Sequence, residues 1–262
     1  MHSGAHKFAR HLLCAFAVAL PAVLTAQPAA TEIWRSLYDT PLNSNDEAIR
    51  VRVDAAQNVY VLCRQHATHT FAKLGGDGNI VWARRLPATD VTDLELDGYG
   101  NPYVLIRTAG YAVTRFDPAT GEQVWRQDVD TAGEFPHDME VDSARNLLVL
   151  SREQASPDSI IWLSRLNSQT GALLWQRQTP AGLQLHQDPL FADAFGNSLV
   201  VRFNRVTSYD SAGNQRWTKP LENEQLAAAA IAPDGDFVWV NNTPPPRFTR
   251  VTRYDRQTGD VV

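Results

Sequence analysis

VDAAQNVYVLCR (residues 53–64) aligns without a gap to four later stretches: LDGYGNPYVLIR (96–107), VDSARNLLVLSR (141–152), ADAFGNSLVVRF (192–203) and IAPDGDFVWVNN (231–242). Each opens on an apolar residue, passes through small and polar residues, and runs into β-branched or aromatic ones. Asp54, Asp97, Asp142 and Asp193 share the second position, and Asn58, Asn101, Asn146 and Asn197 share the sixth. An Asp carboxylate can accept from backbone N–H groups two residues on, while Asn and Gly tolerate left-handed backbone. This is the chemistry of a hairpin turn leading into a strand. The fifth stretch carries Ala232 and Asp236 at these positions, with Asp234-Gly235 supplying the turn.

A second element follows each of these: LGGDGNIVW (74–82), FDPATGEQVW (116–125), LNSQTGALLW (166–175), YDSAGNQRW (209–217) and YDRQTGDVV (254–262). Gly78, Gly121, Gly171 and Gly213 each stand four residues before Trp82, Trp125, Trp175 and Trp217, and Gly259 holds the same place in the last one. These also read as strand, tight turn, strand. One unit is then two hairpins, or four short strands, recurring every 39 to 51 residues. That period with four strands per unit predicts an all-β fold, a β-propeller of four-stranded antiparallel blades. A strand around Trp34 precedes blades at about 47–85, 91–127, 137–178, 188–219 and 228–262. The alanine-rich stretch Gln225 to Ala230 reads as the start of an innermost strand.

Composition agrees with one sizeable core: 262 residues, 44% hydrophobic and 20% charged, which excludes a disordered or collagen-like chain. The formal charge of −5 comes without a basic stripe, so no nucleic-acid partner is expected. Residues 1–26 have the pattern of a secretory signal peptide. Lys7 and Arg10 give a positive start, Leu12 to Leu24 an apolar run, and Ala26 a cleavage point. The run is too short for the ~20 residues of a membrane-spanning helix. The chain is therefore expected in the periplasm or outside the cell, with no membrane span. Removal of that segment with Cys14 leaves Cys63 as the lone cysteine, so no disulfide framework is expected.

D-x-x-G-N before an apolar strand, then D-x-x-T-G-x-x-x-W, resembles the secreted bacterial β-propeller repeats related to the quinoprotein (PQQ-like) propellers. The stretch 33–61 is similar to the bacterial β-propeller repeat found in tandem in exported proteins. The resemblance implies that the Trp of each outer strand packs on the Gly-containing turn of a neighbouring blade. By position that role falls to Trp34, Trp82, Trp125, Trp175 and Trp217. Quinoprotein dehydrogenases of this likeness hold PQQ and calcium at the centre of an eight-bladed ring, beside a Cys-Cys disulfide and an Asp base. Here the match is to the repeat: Cys63 stands alone and no calcium triad can be assigned. No cofactor is expected, and PQQ with calcium belongs only to the alternative, a fragment of a quinoprotein-type oxidoreductase. The C-terminal stretch ends at Val262, one position before a Trp is due. Two readings follow, an incomplete chain or a five-bladed ring closed by the Trp34 strand.

Propellers bind ligands on the face formed by the loops into each innermost strand and those between second and third strands. The former carry Asp46, Glu47, Asp90, Asp93, Glu134, His137, Asp138, His186, Asp188, Glu222 and Glu224; the latter Arg64, Arg107, Arg152 and Arg202. One reading is pairing between blades, Arg107 with Asp93 or Asp138. The other is a mouth of guanidinium groups for a small anionic ligand or a protein, since Arg donates two parallel hydrogen bonds to planar anions. His137-Asp138 and His186-x-Asp188 could serve as ligands or acid/base pairs. No third histidine recurs with them, however, and no nucleophile elbow, zinc-protease or phosphate-loop motif is present. The expectation is an exported, non-catalytic binding or scaffolding module, with a propeller within a larger surface protein as a further alternative.

Overall fold

A computed structural model describes Arg35 and residues 46–65, 68–86, 90–129, 134–153, 160–179, 185–202, 205–221, 225–242 and 249–262. The signal segment and Trp34 lie outside these. The described residues form five antiparallel sheets in chain order. The first holds β1 (Asp46–Val53), β2 (Val59–Gln65), β3 (Thr68–Leu74) and β4 (Ile80–Leu86). The second holds β5 (Val91–Leu96), β6 (Pro102–Arg107), β7 (Tyr111–Phe116) and β8 (Gln123–Val129). The third holds β9 (Glu134–Val141), β10 (Leu147–Glu153), β11 (Ile161–Leu166) and β12 (Leu173–Thr179). The fourth holds β13 (Leu185–Ala192), β14 (Ser198–Arg202), β15 (Arg205–Tyr209) and β16 (Gln215–Pro220). The fifth holds β17 (Gln225–Ile231), β18 (Phe237–Asn242) and β19 (Thr249–Tyr254). Each strand pairs with its neighbour in sequence, so every sheet is a meander, and the fold is all-β with propeller blades. Beyond β19 the chain turns back, and Val261 bridges Tyr254.

The hairpins close as their side chains dictate. The Oδ1 atoms of Asp54, Asp97, Asp142 and Asp193 accept from the N–H of Asn58, Asn101, Asn146 and Asn197 at 2.8–3.0 Å. The fifth turn residue is left-handed in all five: Gly100, Gly196 and Gly235, but also Gln57 and Arg145, both at φ 64°. In the outer turns Asp117, Asn167 and Asp255 each accept from the two backbone N–H groups and the hydroxyl of the Thr three residues on or its neighbour.

Alternation along the second strand divides each blade into two faces. Tyr60 and Leu62 join Phe71 on one face of the first blade. They meet Leu94, Val104 and Ile106 from the opposed face of the second in one core cluster. The same joint recurs between Leu105 and Met139, between Leu150 and Leu190, and between Val201 and Trp239. Innermost strands follow suit, β1 packing on β5, β5 on β9, β9 on β13 and β13 on β17.

Candidate functional site

Outer strands are clasped to the next blade by tryptophan. The indole Nε1 of Trp82, Trp125, Trp175 and Trp217 donates to the carbonyls of Pro118, Ser168, Ser211 and Arg256 at 3.1–3.2 Å. Each acceptor lies in the outer turn of the following blade. The ring covers that turn's left-handed glycine: Gly121 under Trp82, Gly171 under Trp125, Gly213 under Trp175 and Gly259 under Trp217. A Cβ at these glycines would come within 2.6–3.0 Å of the indole, so only glycine admits the contact.

A second set of clasps runs through the innermost strands. β1, β5, β9 and β17 shift register within their first four residues, at the position of Ile49, Thr92, His137 and Ala227, and β13 shifts between Leu185 and Leu190. Such bulges re-aim the side chains that follow. Immediately after them stand Arg50, Asp93 and Asp138. Arg50 Nε donates to Asp93 Oδ1 at 2.9 Å, and Asp93 Oδ2 accepts from the Met139 N–H at 3.0 Å. Asp138 Oδ1 accepts from the Met139 N–H and Oδ2 from that of Leu190, both at 3.0 Å. One blade's carboxylate thus caps the next blade's bulge. Asp93 and Asp138 are buried, at 1% and 6% exposure. Burial, then the charge of Asp93, pushes the Asp138 carboxyl up to about 9, so it carries a proton at neutral pH. Two residues on, Arg52 pairs with Glu95. Burial raises the Glu95 carboxyl above its ordinary value, with Arg52 opposing the shift.

The guanidinium rim lies at the ends of the second strands. Arg64 pairs with Glu47, both exposed. Arg107 reaches Asp90 at 3.4 Å and stacks on Phe135 of the next blade, 3.7 Å from the ring centroid. Arg152 lies at the end of β10, beside His137. Burial, then the Arg152 charge, lowers the His137 imidazole to about 4 and keeps it neutral. Its Nε2 is buried and finds no hydrogen-bond partner among the described residues.

Four expectations are corrected. Asp93, His137 and Asp138 stand within innermost strands, because the bulge extends the ladder past the point where the loop was expected. Arg107 does not pair with Asp93 or Asp138, since Arg50 holds Asp93 from inside the sheet. The four arginines belong to strand ends instead of loops. Arg202 is 1% exposed, so it is not part of an open mouth. Standing one residue earlier than the others in its segment, it turns to the covered face. Burial lowers its guanidinium to about 10. The side chains of His186 and Asp188 lie outside the described residues, although their backbone belongs to β13. Arg50, Arg52, Asp90, Glu95 and Phe135 complete the site, and a register extended upstream of the twelve-residue segments would have shown Arg50, Asp93 and Asp138 in one column.

Among the described residues no three His, Cys, Asp or Glu side chains form a group that could hold a metal ion, and Cys63 is in no disulfide. No helix among them is long and apolar enough to cross a membrane.

Known structures share this architecture. BamB from Moraxella catarrhalis superposes with a TM-score of 0.52 at 16% identity, over 80% of this chain and 59% of that one. A protein from Lactobacillus plantarum superposes at 0.60 with 13% identity, over 82% and 69%. The Dos1 propeller gives 0.56 with 12% identity, over 82% and 58%. The chain spans less than two thirds of the Moraxella protein and of the Dos1 propeller. At these identities the likeness is one of fold. No curated protein matches the sequence. The sequence profile of the family described as outer membrane protein assembly factor BamB matches residues 23–262. With its β-propeller blades, the chain belongs to that BamB family of PQQ-like propeller repeat proteins.

Proposed function

We propose that the protein is a non-catalytic binding or scaffolding propeller, exported across the inner membrane with cleavage after Ala26, and working in the periplasm without a cofactor. The observation that carries this reading is the rim. Arg64–Glu47 and Arg107–Asp90 are solvent-facing charge pairs at one end of braced blades. Their side chains are 41–62% exposed. Exposed pairs of this kind contribute little to stability, yet they present alternating charge to a partner and set its register. The partner class it favours is a protein with complementary charges. A small anion is less well served, because carboxylates already occupy two of the guanidinium groups. Family membership supports the same reading, since the family's description is that of an assembly factor.

The test is capture from a bacterial envelope fraction, comparing the native protein with an Arg64→Glu/Arg107→Glu variant. The expected result is loss of specific partners with the variant while its melting temperature holds. Dye-linked dehydrogenase activity appearing on addition of PQQ and calcium would overturn the reading.

A further inference from the structure

Arg64, Arg107 and Arg152 stand at the ends of the second strands, and the third lacks what the other two have. Arg64 is paired with Glu47 and Arg107 with Asp90. Arg152 has no ion pair among the described residues, and its Nε is buried without a hydrogen-bond partner. One ladder position explains the difference: Glu47 stands opposite Arg64, whereas Phe135 stands opposite Arg152. The described carboxylates nearby are engaged elsewhere. Asp138 accepts from the Met139 and Leu190 N–H groups, Asp90 from Arg107, and Glu153 from the Trp162 indole at 3.1 Å.

A second orphaned group stands beside this guanidinium. His137 occupies the bulge of β9, the place held by Ile49 in β1 and Thr92 in β5. Its Nε2 is buried and meets no partner among the described residues. The ring is close enough for the Arg152 charge to act on it, after burial, in lowering the imidazole. A buried donor without an acceptor is costly, and bulges re-aim a side chain beside functional sites.

We propose that Arg152 and His137 form a carboxylate-binding subsite on the rim, the guanidinium donating to the two oxygens and the imidazole Nε2–H to one of them. It rests on the reading of the rim as the working face, and names the chemical group that a ligand must present there. Charge selects the class. Asp90 compensates Arg107, so the subsite offers the single charge of Arg152, which suits a monoanion. A planar fork of donors matches a planar carboxylate. That carboxylate can belong to a free acid or to an Asp or Glu side chain of a partner protein.

Acetate is the probe, titrated against chloride at matched ionic strength and neutral pH. In the native protein the ring ¹H–¹⁵N signals of His137, assigned by their loss in His137→Gln, should shift saturably with acetate. Binding to Arg152→Gln, read by the same signals, should be about tenfold weaker or less, since a charge-assisted pair of hydrogen bonds is lost. Arg152→Lys keeps the charge without the fork and should fall between the two. Arg152 has no partner to lose, so melting temperatures should hold. No saturable shift in the native protein, or equal binding by Arg152→Gln, would overturn the proposal. Capture from an envelope fraction with Arg152→Gln, in which Arg64 and Arg107 are intact, then assigns the source. Loss of partners identifies a side-chain carboxylate, and unchanged partners identify a free acid. An Arg64→Glu/Arg107→Glu variant that keeps every partner would count against the rim reading alone, because the acetate titration reads the subsite by itself.

Discussion

The indole of Trp82 lies over Gly121 of the next blade, so close that a Cβ there would stand 2.6 Å from Cδ2, while its Nε1 donates to the Pro118 carbonyl at 3.2 Å. Packing and hydrogen bond thus converge on one turn, and glycine is required twice over, by space and by a φ of 72°. Gly121→Ala should cost about 1–2 kcal/mol for the left-handed backbone alone, with displacement of the indole added to it. Trp125, in the same role one blade on, should cost about 3–5 kcal/mol when cut to alanine. Urea denaturation of both variants checks this; a loss below 1 kcal/mol for Gly121→Ala would show that the clasp yields.

Gln57 and Arg145 occupy the left-handed position that glycine holds in three of the five turns. Gln57→Gly should stabilise by up to about 1 kcal/mol, the relief of φ strain exceeding the entropy that glycine loses. Arg145→Gly should gain less, because the Arg145 guanidinium stacks on Tyr99 at 3.8 Å from its centroid, worth about 0.5–1 kcal/mol at a surface. Melting temperatures of the two variants, ranked in that order, are the expected outcome.

Position decides what an arginine is worth. Arg64→Ala should change stability by less than about 1 kcal/mol, since both it and Glu47 are in water. Arg50→Ala strips a partner from Asp93, which is 1% exposed, and should cost roughly 1–3 kcal/mol as a buried carboxylate loses a charged donor. Parallel denaturation curves settle the contrast.

Asp138 should make stability fall with pH. Its carboxyl titrates near 9 in the fold against an ordinary 3.8, so the folded chain keeps a proton the unfolded chain has released. Its contribution is full below the ordinary value, declines as pH rises, and is gone above the folded value. Asp138→Asn cannot ionise and loses that slope. The native protein's advantage over this variant should be largest in mild acid and shrink toward alkaline pH, as measured by urea midpoints. A difference constant with pH would contradict it.

The fold was legible because its determinants are local. An Asp four residues before an Asn makes a turn within five residues, and a period of such turns defines blades. The joints were less legible. Arg50 and Asp93 are 43 residues apart, and Asp93 reaches a backbone N–H 46 residues on, so no short motif contains either pair. The bulges also hid that Asp93 and Asp138 lie within strands and not in loops, because an inserted residue breaks the alternation by which a strand is recognised. For Arg202 a one-residue offset carried the side chain to the opposite face, an inversion that composition cannot reveal.

The most direct test places a photo-crosslinking residue at position 64 or 107 on the rim, and at position 56 or 144 in the turns before β2 and β10, at the opposite end of the second strands. In envelope preparations the account predicts discrete partner adducts from positions 64 and 107 and none from 56 and 144. Equal crosslinking at both ends, or adducts from the turns alone, would contradict a binding module that works through its rim.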